Sequence, residues 1–346
     1  VMAAAVVVPA TGANAVVSPA VTFPDADFAS CVADALGIAS GVSITQADMA
    51  SLTGLTCLGA VSDITGVQYA TNLTALDLGN KTISSISALS GLTSLTRLYL
   101  QGNSISNIAP LAGLTALTDL DLSHNALTSV SALSGLTKLV NLAVTDNHVV
   151  NVSPLTGLIP LAVLDLHGNA VVDTSPLATL TSLYYLDVAL NAVTTPAPLA
   201  ALTGLTTLLL EGNAITDISS LAALTGLTST DFTGQAVTLP DATTCAPSTL
   251  PNVKNLAGAA LTLSPSAGGT VTGSSVAWST AGPASLTWAS ADALFTGTLS
   301  QTVTGCALNP TPTPTISGTP TVGQTLTATP GTWGPGSVTL SFQWTR

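Results

Sequence analysis

Basic residues are scarce in this sequence of 346 residues, which carries five Lys and Arg against 17 Asp and Glu and has a formal net charge of −12. Contacts with phosphates need clustered Lys and Arg, so we expect no nucleic-acid partner. Attraction to an anionic membrane surface is disfavoured for the same reason.

Long apolar runs are also missing past the N-terminus, although 47% of the residues are hydrophobic. No later run reaches the roughly 18 residues that a membrane-spanning helix needs, so we expect no membrane insertion of the mature chain. The apolar residues recur periodically instead, which is typical of a stacked core.

Residues 1–15 resemble the end of a secretory signal peptide. Residues 1–8 are apolar, and residues 13–15 read Ala-Asn-Ala, which fits a small-residue cleavage site. The basic segment that opens such signals is missing, so we expect the reading frame to begin upstream of Val1. An apolar N-terminal strand is the alternative interpretation. Export places a chain in an oxidising setting, which fits the even count of four Cys.

A segment of twenty-two residues repeats through the middle of the chain with the pattern L-x-x-L-x-L-x-x-N-x-I-x-x-I-x-x-L-x-x-L. A fixed period in this range with this pattern indicates a leucine-rich-repeat solenoid, an α/β fold, which we assign to residues 60–240. We expect positions one, four and six of each repeat to point into the core. The copies start at Leu73, Leu95, Leu117, Leu139, Leu161, Leu183, Leu205 and Leu227.

Each repeat is predicted to contribute one short strand to a parallel sheet on the concave side and a 3₁₀ turn or loop to the convex side. Proline favours the turn by fixing φ, and it occurs there at 110, 154, 176 and 198. The repeated Asn is expected to face inward and to bond backbone groups that the sheet does not reach. It occupies positions 103, 125, 147, 169, 191 and 213, with Lys81 and Gln235 in its place at the two ends.

Residues 22–59 are predicted to form a helical N-terminal cap that covers the first coil. Apolar residues at 28, 32 and 36 recur at helical spacing before Gly37, and Thr45 with Asp48 resembles a capping box. We expect a disulfide between Cys31 and Cys57, with two buried free thiols as the alternative.

Residues 241–308 are predicted to form an Ig-like β-sandwich packed on the last coil, because short alternating segments are separated by turn residues. The clearest segments are 260–263, 275–278 and 286–288. We expect Cys245 and Cys306, which bracket the module, to pair. Residues 309–346 begin with a stiff Pro-Thr linker and continue into another β module that ends abruptly.

Several of these features together resemble the internalins, a family of bacterial surface proteins. The resemblance includes the repeat, Phe-Pro-Asp at residues 23–25, and Ile-Thr-Gly-Val-Gln-Tyr at residues 64–69. It implies a secreted or wall-attached protein whose concave face binds a partner. Residues 318–326 are similar to Ig-like tandem repeats of bacterial surface proteins, which implies a truncated second Ig-like repeat. The four Cys, the scarcity of Lys and the lack of a sorting motif depart from the family pattern.

The variable positions three, five and seven of each repeat are expected to face solvent on the concave side, with position eight at the rim. Eight of the 17 acidic residues fall on this face (77, 119, 121, 146, 165, 187, 211 and 231). Stacked like charges repel, which makes the face a candidate binding site for a basic protein or a glycan. The alternative is a solvated face that keeps an apolar solenoid soluble. The candidate ligand-binding residues are Asp77, Arg97, Tyr99, Asp119, Asp121, Asn141, Asp165, His167, Tyr185, Asp187, Glu211 and Asp231.

Two carboxylates and an imidazole, at Asp165, Asp187 and His167, stand on neighbouring predicted strands, but no metal-ligand spacing supports a metal site. Neither a catalytic triad nor a phosphate-cradling glycine loop nor an H-E-x-x-H motif occurs. We therefore expect no metal, no cofactor and no enzymatic activity.

The leading interpretation is a monomeric secreted or cell-surface adhesion protein that binds a protein or glycan on another surface. Two alternatives stay open. One is a structural surface or matrix component, and the other is the substrate-targeting region of a larger extracellular enzyme.

Overall fold

In a computed structural model, the protein is described over residues 18–39, 41–306, 313–331 and 343. The expected signal segment 1–15 and the start of the expected linker at 309–312 lie outside these residues. The chain divides into two compact units, an N-terminal unit of residues 1–169 and a C-terminal unit of residues 170–346. Over the described ranges, no helix is long and apolar enough to cross a membrane.

The N-terminal unit opens with two short helices, α1 (Ala26–Leu36) and α2 (Gln46–Ser51). The Asp25 side chain caps α1, and Gly37 ends it in the left-handed conformation at φ 66°. Apolar residues of α1 are buried against the unit, as their helical spacing predicts. The expected capping box opens α2, with Thr45 and Asp48 each bonding the other's backbone N–H.

Six three-residue strands follow, and each pairs in parallel with the next. The pairing joins equivalent positions of successive repeats, for example Ala75 with Arg97 and Arg97 with Asp119. This confirms the leucine-rich-repeat prediction. The strands are β1 (Gly54–Thr56), β2 (Ala75–Asp77), β3 (Arg97–Tyr99), β4 (Asp119–Asp121), β5 (Asn141–Ala143) and β6 (Val163–Asp165).

Short 3₁₀ helices return the chain from each strand to the next. Proline stands in the first turn of four of them, where its missing N–H costs nothing. Leucines at positions one, four and six are buried, as Leu95, Leu98 and Leu100 illustrate, except for the half-buried Leu227 of the last repeat. The 3₁₀ helices are Val67–Tyr69, Ser87–Leu89, Ala109–Leu111, Ser131–Leu133 and Ser153–Leu155 in the N-terminal unit, and Ser175–Thr179, Ala197–Ala201 and Ser219–Ala223 in the C-terminal unit.

The C-terminal unit begins with the parallel strands β7 (Tyr185–Asp187), β8 (Thr207–Leu209) and β9 (Ser229–Thr238). Later strands extend the same sheet rather than starting apart from it. The long strand β16 pairs in parallel with β9 and antiparallel with β15, and β15 pairs with β12. The later strands are β10 (Ala242–Thr243), β11 (Ser248–Thr249), β12 (Ser264–Pro265), β13 (Gly269–Thr272), β14 (Ser275–Trp278), β15 (Gly282–Ala289) and β16 (Phe295–Thr304).

Two of the three segments expected as strands in this region lie in β14 and β15, and the third expectation is wrong. Residues 260–263 form only an isolated bridge between Ala260 and Lys254. Leu261 donates its N–H to the carbonyl of Val253, so this stretch turns back on the chain just before it. Alternating sequence alone does not separate such a local turn from a strand.

Residues 313–331 contain a small antiparallel pair, β17 (Thr315–Ser317) with β18 (Thr327–Thr329). The expected strand at 338–344 lies outside the described residues except for Gln343.

Both pairs of cysteines are joined. One disulfide links Cys31 on α1 to Cys57 at the end of β1, with Cα atoms 5.4 Å apart. The other links Cys245 to Cys306, with Cα atoms 5.7 Å apart.

The Asp25 carboxylate ties the cap helix to the first coil. One oxygen accepts the N–H of Phe28 at 2.9 Å, and the other accepts the N–H and the hydroxyl of Ser62 at 2.8 Å and the N–H of Asp63 at 3.2 Å. Burial opposes ionisation of this group, but the hydrogen bonds from Ser62, Phe28 and Asp63 outweigh it and lower the pKa of Asp25 to about 2.

We expect Asp25→Asn to lower the free energy of unfolding by about 1 to 2 kcal/mol at pH 7, because the amide keeps only one acceptor oxygen. A pKa below the ordinary value stabilises the fold above that value, so the contribution is lost as the pH falls from about 4 to about 2. Urea unfolding of both proteins at pH 7 and pH 2.5 tests this. Asp27→Asn in the same turn is the control, and an Asp25→Asn deficit as large at pH 2.5 as at pH 7 contradicts the assignment.

Candidate ligand-binding face

Side chains at positions three and five of the strands project away from the buried leucine at position four, and together they form what we call the strand face. In the N-terminal unit the in-register pairing stacks them in two columns, with a spacing of about 4.8 Å between neighbours. One column holds Ala75, Arg97, Asp119, Asn141 and Val163, and the other holds Asp77, Tyr99, Asp121, Ala143 and Asp165.

The aspartates at position five have a structural role that the sequence did not reveal. In each, one carboxylate oxygen accepts the backbone N–H two residues further on and so closes the turn after the strand. In Asp77, Asp121, Asp165 and Asp231, only the second oxygen is left to face a ligand. The acceptor–donor pairs are Asp77 with Gly79 (3.0 Å), Asp121 with Ser123 (2.9 Å), Asp165 with His167 (3.0 Å), Asp187 with Ala189 (2.8 Å) and Asp231 with Thr233 (2.9 Å).

Two expectations about exposure are wrong. Asp187 is 7% exposed and does not face solvent, although its carboxylate makes the same turn bond as the half-buried aspartates at this position. Tyr99 and Tyr185 are half-buried, whereas Tyr184 at position two is 51% exposed. A two-residue alternation predicts the side of the sheet but not how far a neighbour covers a side chain.

The remaining candidates divide into exposed and engaged residues. Arg97 and Glu211 are exposed, while Asp77, Asp121, Asp165, His167 and Asp231 are half-buried. Asp119 is engaged with its neighbours, because one oxygen accepts the Asn141 amide and the other accepts the Thr118 hydroxyl, both at 2.6 Å. Asp119 and Asn141 therefore act as one polar pair on adjacent strands.

Position eight of the repeats adopts the left-handed backbone conformation. In the N-terminal unit it is filled by glycine or by residues that tolerate this conformation, and His124 there pairs with Asp146 at 3.2 Å. In the C-terminal unit it is filled by Leu190, whose φ is 51° and whose side chain is 49% exposed. The left-handed conformation costs a residue with a bulky side chain about 1 to 2 kcal/mol. Leu190 therefore differs from the residues that suit this position in the other repeats. The residues at this position are Asn80, Gly102, His124, Asp146 and Gly168, then Leu190, Gly212 and Gly234.

The repeated asparagine belongs to the scaffold, as the sequence predicts. Asn147, which is 3% exposed, accepts the N–H of Leu127 and donates to the carbonyls of Leu122, Val144 and Thr145. Gln235 makes the equivalent four bonds at the end of the series, to Ile215, Leu210, Phe232 and Thr233.

Threonine at position two forms a further ladder that sequence reasoning missed. In the N-terminal unit the hydroxyls of Thr74 and Thr96 each donate to the carbonyl at the same position one repeat earlier, at 2.9 and 3.0 Å. The recurrence of Thr at this position was the available signal.

A metal ion has no evident site within the described ranges, where no three His, Cys, Asp or Glu are arranged to hold one. The trio considered from the sequence is divided between the two units, with Asp165 and His167 in one and Asp187 in the other.

Similarity to known proteins assigns the chain to a family. The profile of leucine-rich repeats (two copies) matches residues 71–113. Internalin C2 of Listeria monocytogenes shares 37% identity with the chain, over 60% of this chain and 93% of that one, with a TM-score of 0.59. The chain belongs to the internalin family of leucine-rich-repeat proteins.

Two further solved structures are similar to this internalin-like chain. An internalin, InlF, of L. monocytogenes shares 36% identity over 60% of this chain and 69% of that one, with a TM-score of 0.53. The ectodomain of the Arabidopsis thaliana receptor kinase GASSHO1/SCHENGEN3, solved in complex with CASPARIAN STRIP INTEGRITY FACTOR 2, shares the fold at 24% identity, over 57% of this chain and 26% of that one, with a TM-score of 0.50. None of the curated proteins matches the chain.

Proposed function

We propose that this internalin-like chain is a secreted or cell-surface adhesion protein that binds a partner protein on its strand face. The observation that carries the proposal is that each repeat has separate scaffold positions and accessible variable positions. The leucine and asparagine positions hold the coil together and hardly vary, whereas position three differs in every repeat and position five departs from Asp in three of eight, both on the accessible side of the sheet. Variation confined to accessible positions of a rigid scaffold is typical of a recognition surface.

The chemistry of the strand face favours a basic partner. Carboxylates at Asp77, Asp121 and Asp165 keep one oxygen away from the turn in the N-terminal unit, where Arg97 is the one basic residue at positions three and five. A positively charged protein surface complements this pattern, and the attraction between opposite charges speeds its association. A glycan is the second candidate ligand, since Asp119 with Asn141 offers paired polar groups.

The rest of the chain fits an extracellular role in this proposal. The signal-like residues 1–15 and the two disulfides suit an exported protein. The strands of residues 241–308 and the hairpin in 309–346 would be Ig-like spacers that carry the repeats away from a cell wall, with the protein acting as a monomer.

Neutralising two strand-face carboxylates should weaken partner binding without disturbing the fold. In Asp121→Asn with Asp165→Asn, each amide oxygen still accepts the turn N–H of Ser123 or His167, so only charge is lost. We expect the affinity for a protein partner to fall about three- to tenfold, with a smaller dependence on salt. The full chain would first be screened on an array of purified ectodomains and on a glycan array.

The matched control is Asp63→Asn with Asp173→Asn, which also removes two exposed charges that close turns, at Thr65 and Ser175, away from the strand face. Equal weakening by the control, or an unchanged affinity in the test variant, contradicts the role of the face. Ligands found on the glycan array alone contradict the protein partner.

A further inference from the structure

Two leucines interrupt the repeat chemistry of the C-terminal unit, Leu190 at position eight and Leu209 at position five of the next repeat. We call them the leucine pair. The other repeats place glycine or a polar residue at position eight, and Asp, Tyr or Ala at position five. Both leucines leave apolar surface on the accessible side of the sheet or at its rim.

Leu209 lies on the strand face between two aspartates. Its in-register neighbours are Asp187 on β7 and Asp231 on β9, and each of these closes its own turn with a carboxylate oxygen. Leu209 has no oxygen with which to do the same. At that position the repeat therefore has a half-buried apolar side chain in place of a turn-closing carboxylate.

Leu190 lies at the end of the same face. Its N–H donates to the carbonyl of Glu211 at 2.7 Å, and its side chain covers Gly212, because a methyl group placed on that glycine would collide with Leu190 Cδ2. The leucine is thus held against the repeat that also carries Leu209. It stays half exposed in a backbone conformation that leucine rarely adopts.

The charge around the leucine pair has one sign. Glu211 is exposed beside it and Asp231 is half-buried next to Leu209. Between residues 170 and 331 the sequence has a single basic residue, Lys254, and its amine is paired with Asp217 at 2.9 Å. A cationic partner therefore meets complementary charge around an apolar centre, which is the arrangement of an interface anchor.

We propose that the leucine pair is an anchor site for a basic polypeptide segment, which places a large apolar side chain against Leu190 and Leu209 and its Lys or Arg residues near Glu211 and Asp231. This rests on the proposed protein-binding function and narrows its partner to a protein with a cationic, apolar-tipped segment. Glycine at position eight and Asp at position five would stabilise the repeat better. The leucines provide accessible apolar surface in their place.

The test uses a random-peptide library displayed on phage and selected on the full chain. We expect selected peptides to carry a large apolar residue flanked by Lys or Arg. Their affinity should fall at least about tenfold on the variant Leu190→Gly with Leu209→Asn. That variant removes the leucine from the left-handed position and supplies a turn-closing oxygen at position five without adding charge, so we expect its Tm to equal or exceed that of the native chain. Loss of binding without loss of stability separates an anchor from a structural role.

The matched control is Asn80→Gly with Ala143→Asn, which introduces the same two residue types at the same repeat positions of the N-terminal unit. Equal binding by the leucine-pair variant, or selected peptides without basic and apolar residues, overturns the anchor. Those outcomes leave the protein-binding proposal standing, because peptides that lose affinity only on Asp121→Asn with Asp165→Asn would still report binding at the strand face.

Discussion

Replacing Asn147 with Ala should lower the free energy of unfolding by about 3 to 5 kcal/mol, because a buried N–H and several carbonyls lose their partner together. The Asn147 amide bonds three neighbouring backbone segments, through Leu127, Leu122 and Val144, at 2.9 to 3.1 Å. A carbonyl or N–H left unsatisfied in a dry coil costs about 1 to 3 kcal/mol. Water cannot compensate readily, since the side chain it would replace is only 3% exposed.

Urea unfolding followed by circular dichroism measures this change. Asn107→Ala is the matched control, because the exposed Asn107 side chain makes one bond to the N–H of Ala109 at 2.9 Å. We expect the control to cost about 0.5 to 1 kcal/mol. A loss for Asn147→Ala as small as that of the control would mean that the asparagine series does not hold the coils together.

The asparagine series illustrates what the sequence could predict. A polar residue that recurs at one position of an apolar repeat must find its hydrogen-bond partners in the backbone. Its inward position and its backbone bonds therefore follow from periodicity alone. The parallel strands and the buried leucines follow in the same way. These features depend on contacts that recur every repeat, and each copy of the pattern supports the same interpretation.

The candidate site was less predictable because its residues do not repeat in the same way. Asp at position five suits both a ligand contact and a turn, and only the structure shows that Asp187 closes its turn and is buried, whereas the other aspartates there are half-buried. The glycines at position eight signal its left-handed backbone, and the φ of 51° at Leu190 identifies that leucine as an exception only once the structure is known.

The region after the last repeat shows the same limit at longer range. Alternation predicts β14 and β15 as strands, but it does not predict that β16 pairs in parallel with β9 and so extends the sheet of the repeats. Such pairing closes a loop of some sixty residues, and its partner is chosen by packing rather than by local pattern.

Removing the disulfide between Cys31 and Cys57 should produce the other large effect. A cross-link between residues 26 apart restricts the unfolded chain by about 3.5 kcal/mol, so we expect Cys31→Ser with Cys57→Ser to lose about 3 kcal/mol or slightly more. The bond joins α1, which buries Phe28 and Val32, to the end of the first strand. Non-reducing peptide maps would first verify the bond, and two free thiols there would contradict the structure.

The part of the chain that loses stability shows whether the disulfide stabilises the first coil alone or the whole N-terminal unit. Repeat proteins gain stability from contacts between neighbouring coils, so a coil without its cap opens first and the next coils follow. Hydrogen exchange should therefore speed up most at β1 and β2 in the double serine variant and least at β5. Cys245→Ser with Cys306→Ser is the control, because it breaks a bond of the other unit and should leave the exchange of β1 and β2 unchanged. Uniform acceleration across β1 to β5 would instead mean that the N-terminal unit unfolds as one cooperative block, and that the helices stabilise every coil rather than shielding the first.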